Sequence, residues 1–232
     1  MPLTFKPAAV ATAFALSLCG AASVSAQSAT DAAKMSFFIT STGNENGANF
    51  GGLEGADAHC TALATAAGSS RTWAAYLSNS MIIDRSSGSL KITNGINARD
   101  RIGTGPWYNS KGVLIAENVD DLHKDDVNIG LETGLDENGN QINGRGAKPN
   151  KHDILTGSDS HGYFSTAAAD TTCSNWTSGG EGSAIVGHHD RKGPNFARNF
   201  VSWNSSHGSR GCGQTDLAKS GGAGLLYCFA TN

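Results

Sequence analysis

Three side chains in a row, His188, His189 and Asp190, followed by Arg191 and Lys192, form the densest titratable cluster in the sequence. Imidazole and carboxylate together suit transition-metal binding or proton transfer. Adjacent histidines on a strand point to opposite faces, so both reach one ion only from a loop. His152-Asp153 or His161 would supply the further ligands from elsewhere in the chain. The competing reading is a solvated loop, or one histidine satisfied by a carboxylate. Apart from His188, His189 and Asp190, no residues are assigned to a metal, and no cofactor is expected.

Other chemistry-bearing stretches carry less. Asp136 to Asn140 opens like a calcium loop, but Gln141 and Ala147 stand where that loop needs glycine and glutamate, so an Asn138-Gly139 turn is expected. Asp120, Asp121, Asp125 and Asp126 around His123 read as a solvated acidic face. There is no Gly-x-Ser-x-Gly elbow, no His-Glu-x-x-His and no phosphate loop. A Ser160, His161 and Asp153 trio can be drawn, but nothing in the spacing assembles it. The four tryptophans are expected in the core, with Trp203 the one candidate for a ligand-stacking platform.

These residues need elements to position them. Cys60, Leu63, Ala64 and Ala67 recur at helical spacing, so 55–68 reads as a helix capped by Asp57 and ended by Gly68. Trp73, Ala75 and Leu77 alternate with their neighbours as a strand does. MSFFITST (35–42), the GPWYNSKGVLIA hairpin, Phe200 to Trp203 and GAGLLYCFA (222–230) are the other expected strands; Glu117 to Lys124 is a short acidic helix. Asp84 to Asn97 reads as a surface excursion. The sum is an α+β domain rich in turns, as thirty glycines imply.

The first 26 residues read as a signal peptide: Lys6, an apolar run from Ala8 to Leu18, and Val24-Ser25-Ala26 at the cleavage positions. Residues 27–34 then form an N-terminal extension and 35–232 the domain. A formal net charge of −3 with no basic stripe argues against nucleic acid and anionic membranes, and no later run is long enough to span a bilayer. With Cys19 in the signal, Cys60, Cys173, Cys212 and Cys228 remain, an even set whose pairing has three solutions by count.

The ordered set of GADAHC, TWAAYLS, ARDRI…GPWYNSKGVLIA, HDILTGSDSHG, TTCSNWTS, GCGQ and GLLYCFA resembles the endostatin-like domains, a divergent branch of the C-type lectin-like fold also found in exported bacterial proteins. The resemblance spans about residues 36–231. It implies nested disulfides, Cys60 with Cys228 and Cys173 with Cys212. It also departs from its family: 27–40 holds no histidine for the endostatin zinc site, and no arginine surface for heparin is present. Pro194-Asn195 and Trp203-Asn204-Ser205 lack the acids of the lectin calcium motifs, which leaves Asn195, Trp203 and Asn204 as ligand-binding candidates beside His188, His189 and Asp190. The expectation is an exported, secreted, non-enzymatic lectin-like module that binds a glycan, an envelope component or a protein through its 174–211 loops. The alternatives are a metal-dependent enzyme at His188, His189 and Asp190, or a structural, adhesive envelope or matrix protein.

Overall fold

The computed structural model describes residues 1–2, 34–167 and 169–232; the expected signal peptide beyond its first two residues, and all of the expected extension but Lys34, lie outside them. In chain order the elements are β1 (Phe37–Ile39), α1 (Leu53–Ala66), β2 (Trp73–Ala75), β3 (Ile82–Asp84), β4 (Lys91–Thr93), β5 (Trp107–Tyr108) and β6 (Leu114–Ala116). There follow α2 (Val119–Leu122), β7 (Asp153–Leu155), β8 (Ile185–His188), β9 (His207–Gly208), α3 (Gln214–Ser220) and β10 (Gly222–Ala230). The chain is α+β, and among the described residues no helix is long and apolar enough to cross a membrane.

The apolar run expected as the last strand is β10, the spine of the main sheet. Its C-terminal half pairs antiparallel with β1 and β2, and its N-terminal half runs parallel to β7. β8 and β9 then extend the sheet antiparallel, giving the order β1-β10-β7-β8-β9. Strand alternation divides β10 between two cores. Leu226, Cys228 and Ala230 face α1 and Trp73, while Leu225, Tyr227 and Phe229 face Trp107, Ile115 and Leu122. Both faces of the sheet are therefore covered, which is why β2 is buried at every position and not at alternate ones.

Two disulfides, Cys60–Cys228 and Cys173–Cys212, each with Cα atoms 5.7 Å apart, realise the nested pairing. The first ties α1 to β10. The second holds an unusual turn, Cys173–Trp176, whose four residues all have φ between 50° and 65°. Left-handed backbone costs an L-residue about 1–2 kcal/mol. The disulfide, the Trp176 indole donating to the Ser78 carbonyl (2.9 Å) and Asn175 Oδ1 accepting from Ser80 N (2.7 Å) hold it there.

Two expectations need correction. α1 starts at Leu53, so Asp57 lies inside the helix and caps nothing. Its carboxylate instead binds Arg101 through both oxygens (2.8 and 2.7 Å) and the Ala75 N–H (2.8 Å), fastening helix to strand. Gly68 does take the left-handed conformation that ends the helix, at φ 91°. Phe200 to Trp203 is not a strand: Arg198–Val201 is a single 3-10 turn. The 84–97 excursion contains most of an exposed hairpin, β3 with β4.

A candidate metal centre at the ends of three strands

The register of β7, β8 and β9 decides which side chains meet. Asp153 stands directly opposite His188, and His207 stands opposite Val186, two residues from His188 and so on the same face. His152 precedes the first residue of β7, where the chain is no longer held to strand alternation, and its ring stacks on that of His188 at 4.1 Å between centroids. Deeper along the same face, Leu155 and Val186 belong to the apolar core. Apolar packing thus fixes the strands, and their ends carry the polar groups.

Three imidazole nitrogens converge on one carboxylate oxygen. Asp153 Oδ1 lies 3.0 Å from His152 Nε2, 3.3 Å from His188 Nε2 and 3.6 Å from His207 Nε2. The ligand atoms of His152, Asp153 and His188, all three residues buried, lie within 4.8 Å of one another. His207 reaches His188 (Nε2 to Nε2, 3.0 Å) from the solvent side, its side chain 34% exposed. Despite these approaches, both Asp153 carboxylate oxygens are buried without a directed hydrogen bond. A buried carboxylate left without a directed donor is costly unless a cation neutralises it.

The far side of each ring shows which nitrogen is free. His188 Nδ1 faces the Phe200 carbonyl at 2.7 Å and His207 Nδ1 faces the Gly208 carbonyl at 3.0 Å. A carbonyl only accepts, so both Nδ1 atoms carry a proton, and both Nε2 atoms face inward toward Asp153, as a second N–H donor in the charged ring and as a ligand lone pair in the neutral one. His152 Nδ1 lies 3.3 Å from Asp190 Oδ1, a carboxylate-histidine pair. Two lone pairs 3.0 Å apart repel unless a proton or a metal ion sits between them. Outer acceptors behind each ring are the usual surroundings of metal-bound histidine.

Charge follows the same logic. Burial opposes the charge of His152, but the carboxylates of Asp153 and Asp190 outweigh it and push this imidazole up to about 9. Burial likewise opposes ionisation of Asp153, and the surrounding histidines reverse that and hold it far below the usual carboxylate range. Asp190 is lowered to about 2, burial being overcome by His152 and the N–H groups of Arg145 and Lys192.

The candidates from the sequence separate accordingly. His188 is in the cluster, with His152 and Asp153. His189 is not: it turns to the opposite face, Nε2 3.4 Å from the Asn143 carbonyl, and burial lowers it to about 4. Asp190 stands behind His152 as its outer partner. Asn195 accepts from Ala197 N in an exposed turn. Trp203 is only 3% exposed, packed against Tyr76 and Tyr227, so its ring belongs to the core and offers no stacking platform. Asn204 is buried too, its amide donating to the Tyr76 hydroxyl (3.0 Å). The Ser160, His161 and Asp153 trio does not assemble, because Asp153 is enclosed by the other three histidines. His207 has no signal in the sequence beyond being a histidine; only the pairing of β9 with β8 brings it in.

The fold and cluster define a disulfide-bonded α+β protein with a buried His-Asp-His group. No protein-family model matches the chain, and no curated protein matches it, so the reading of the site rests on its own chemistry.

Proposed function

We propose that the protein is a metal-binding module that holds one zinc-class ion between His152, Asp153 and His188, with His207 closing the shell from solvent. The observation that carries this is the convergence of imidazole nitrogens on Asp153 Oδ1 with an acceptor behind every ring. Tetrahedral zinc with bonds of about 2.0–2.1 Å sets neighbouring ligand atoms about 3.3 Å apart, close to the 3.0, 3.0, 3.3 and 3.6 Å separations here. Three nitrogens and one oxygen suit zinc better than calcium, which takes six or more oxygens. His152, Asp153 and His188 supply three ligand atoms within 4.8 Å of one another, and the part-exposed His207, close to Asp153 and His188, moves in to complete the tetrahedral shell. A fourth protein ligand leaves no position for a reacting water, which supports a binding role over a hydrolytic one.

The scaffold belongs to the same proposal. Terminal strands β1 and β10 paired together, with Cys60–Cys228 closing the chain, support a lectin-like, endostatin-like domain. Disulfides persist in oxidising compartments, which supports export. Zinc titration of the untagged mature chain, read by calorimetry and elemental analysis, tests the metal. One zinc per chain is expected, abolished in His188→Ala and in Asp153→Asn and retained in His161→Ala, whose residue is exposed. Zinc uptake that survives in His188→Ala sinks the proposal.

A further inference from the structure

A cavity of about 320 Å3 lies beside the cluster, between residues 123–125 and the loop 191–204. That size is at the small end for ligand pockets, about 300–1,000 Å3. Lys124, Arg191 and Arg198 line it against a single lining carboxylate, Asp125. Arg191 is held at φ 54° and spends its donors on the Val127 and Asp125 carbonyls, which leave its charge uncompensated. Arg198 meets Asp125 at 3.0 Å in a mostly exposed pair, a contact of little strength. Lys124 pairs with Asp121 across exposed surface. Two of the three cations thus have carboxylate partners, Asp121 and Asp125, in weak exposed pairs, and Arg191 is the cation of this wall held by carbonyls alone. Phe196, 96% exposed, supplies an apolar face at the rim, and Ser160 and Ser202 supply hydroxyls.

The wall of this cavity is tied to the metal ligands. The segment 189–206 runs from His188 to His207, so a ligand flanks each of its ends. Within it, the Phe200 carbonyl accepts from His188 Nδ1 (2.7 Å) and the Ser202 carbonyl accepts from the His188 N–H (2.9 Å). Contact with β8 is close: a Cβ on Gly187 would stand 1.7 Å from the Trp203 carbonyl oxygen. Whatever fixes the His188 ring fixes Phe200 and, through it, the wall bearing Arg198.

Building on the metal reading above, we infer that this cavity binds a small hydroxylated carboxylate of uronic-acid size, and that the bound metal holds its wall in place. Guanidinium groups pair with carboxylate oxygens, hydroxyls meet the serines, and the ligand's C–H face lies on Phe196. Metal and ligand are then linked: each raises the affinity for the other by the same factor.

Calorimetry with glucuronate as probe and glucose as neutral control, on zinc-loaded and EDTA-treated protein with both disulfides intact, tests this. Glucuronate is expected to bind the zinc-loaded chain at least about tenfold more tightly than glucose, and to lose about tenfold on chelation. Arg198→Ala, at a largely exposed position, should lose about tenfold in glucuronate affinity while still holding one zinc. Equal affinity for the two sugars, affinity indifferent to zinc, or affinity unchanged in Arg198→Ala overturns the inference while the metal reading stands. A chain that takes up no zinc overturns the metal reading, and the coupling falls with it.

Discussion

His188 and His189 differ by one position and end in opposite environments, one among ligands and the other against the Asn143 carbonyl. That divergence was legible, because adjacent strand residues face apart. The sequence also held His152-Asp153 as partners, yet not the contribution of His207, since nothing local encodes a pairing between residues 186 and 207. His123 makes a different point. It read as part of a solvated acidic face, but its ring is packed beside Tyr76 and Trp203, with Nε2 2.7 Å from the Tyr76 hydroxyl and Nδ1 2.6 Å from the Val119 carbonyl. Burial is the main cause that lowers it below the ordinary histidine value of 6.5. The unfolded chain therefore takes up a proton near pH 6.5 that the folded chain resists, and stability falls as pH drops below that value. One such proton contributes a slope of up to about 1.4 kcal/mol per pH unit. Urea unfolding in EDTA between pH 5 and 7 should show a steeper loss in the native sequence than in His123→Gln. Parallel slopes would mean the ring is protonated in the fold.

At the scale of elements, the most apolar run was the most readable: expected and observed limits of β10 coincide at 222–230. The hairpin of β5 and β6 was legible for a related reason, a turn sequence between two apolar runs. Phe200 to Trp203 misled because its apolar residues suit a strand, while its Phe200 and Ser202 carbonyls are taken by the side chain and N–H of His188. The start of α1 misled through Asp57, a good capping residue that serves tertiary structure instead. Its carboxylate carries Arg101, whose side chain is 13% exposed, and the Ala75 N–H together. Asp57→Ala leaves that guanidinium and amide without their acceptor, so a loss of about 2–4 kcal/mol is expected. Arg101→Leu, which removes the charge and keeps apolar bulk, should cost less. Urea unfolding of the two variants checks the order, and a larger loss from Arg101→Leu would show that packing of the arginine stem, not its ion pair, joins α1 to β2.

Over the whole molecule the two bridges divide the work. Cys60–Cys228 closes a separation of 168 residues and joins α1 to the sheet's spine, whereas Cys173–Cys212 closes 39. On loop-closure entropy the outer bridge contributes up to about 5 kcal/mol and the inner one up to about 4. Entropy alone makes them near equals, but their positions do not. Both bridges lie in the α1-facing core, but the inner one starts at the left-handed 173–176 turn and closes tightly around His188, His207 and the loop between them, whereas the outer one joins α1 to β10, elements that carry none of the metal ligands. Replacing Cys60 and Cys228 together with alanine should therefore lower global stability in urea and leave zinc affinity of the folded protein nearly unchanged. Replacing Cys173 and Cys212 should lower both, with zinc affinity down by about tenfold, because ligand positions fixed by their surroundings are what tight coordination requires. Zinc competition against a chelator, run on each variant below its unfolding transition, separates the two effects. If the outer pair changes zinc affinity as much as the inner, the centre depends on the integrity of the whole sheet and not on the clamp around its own loop.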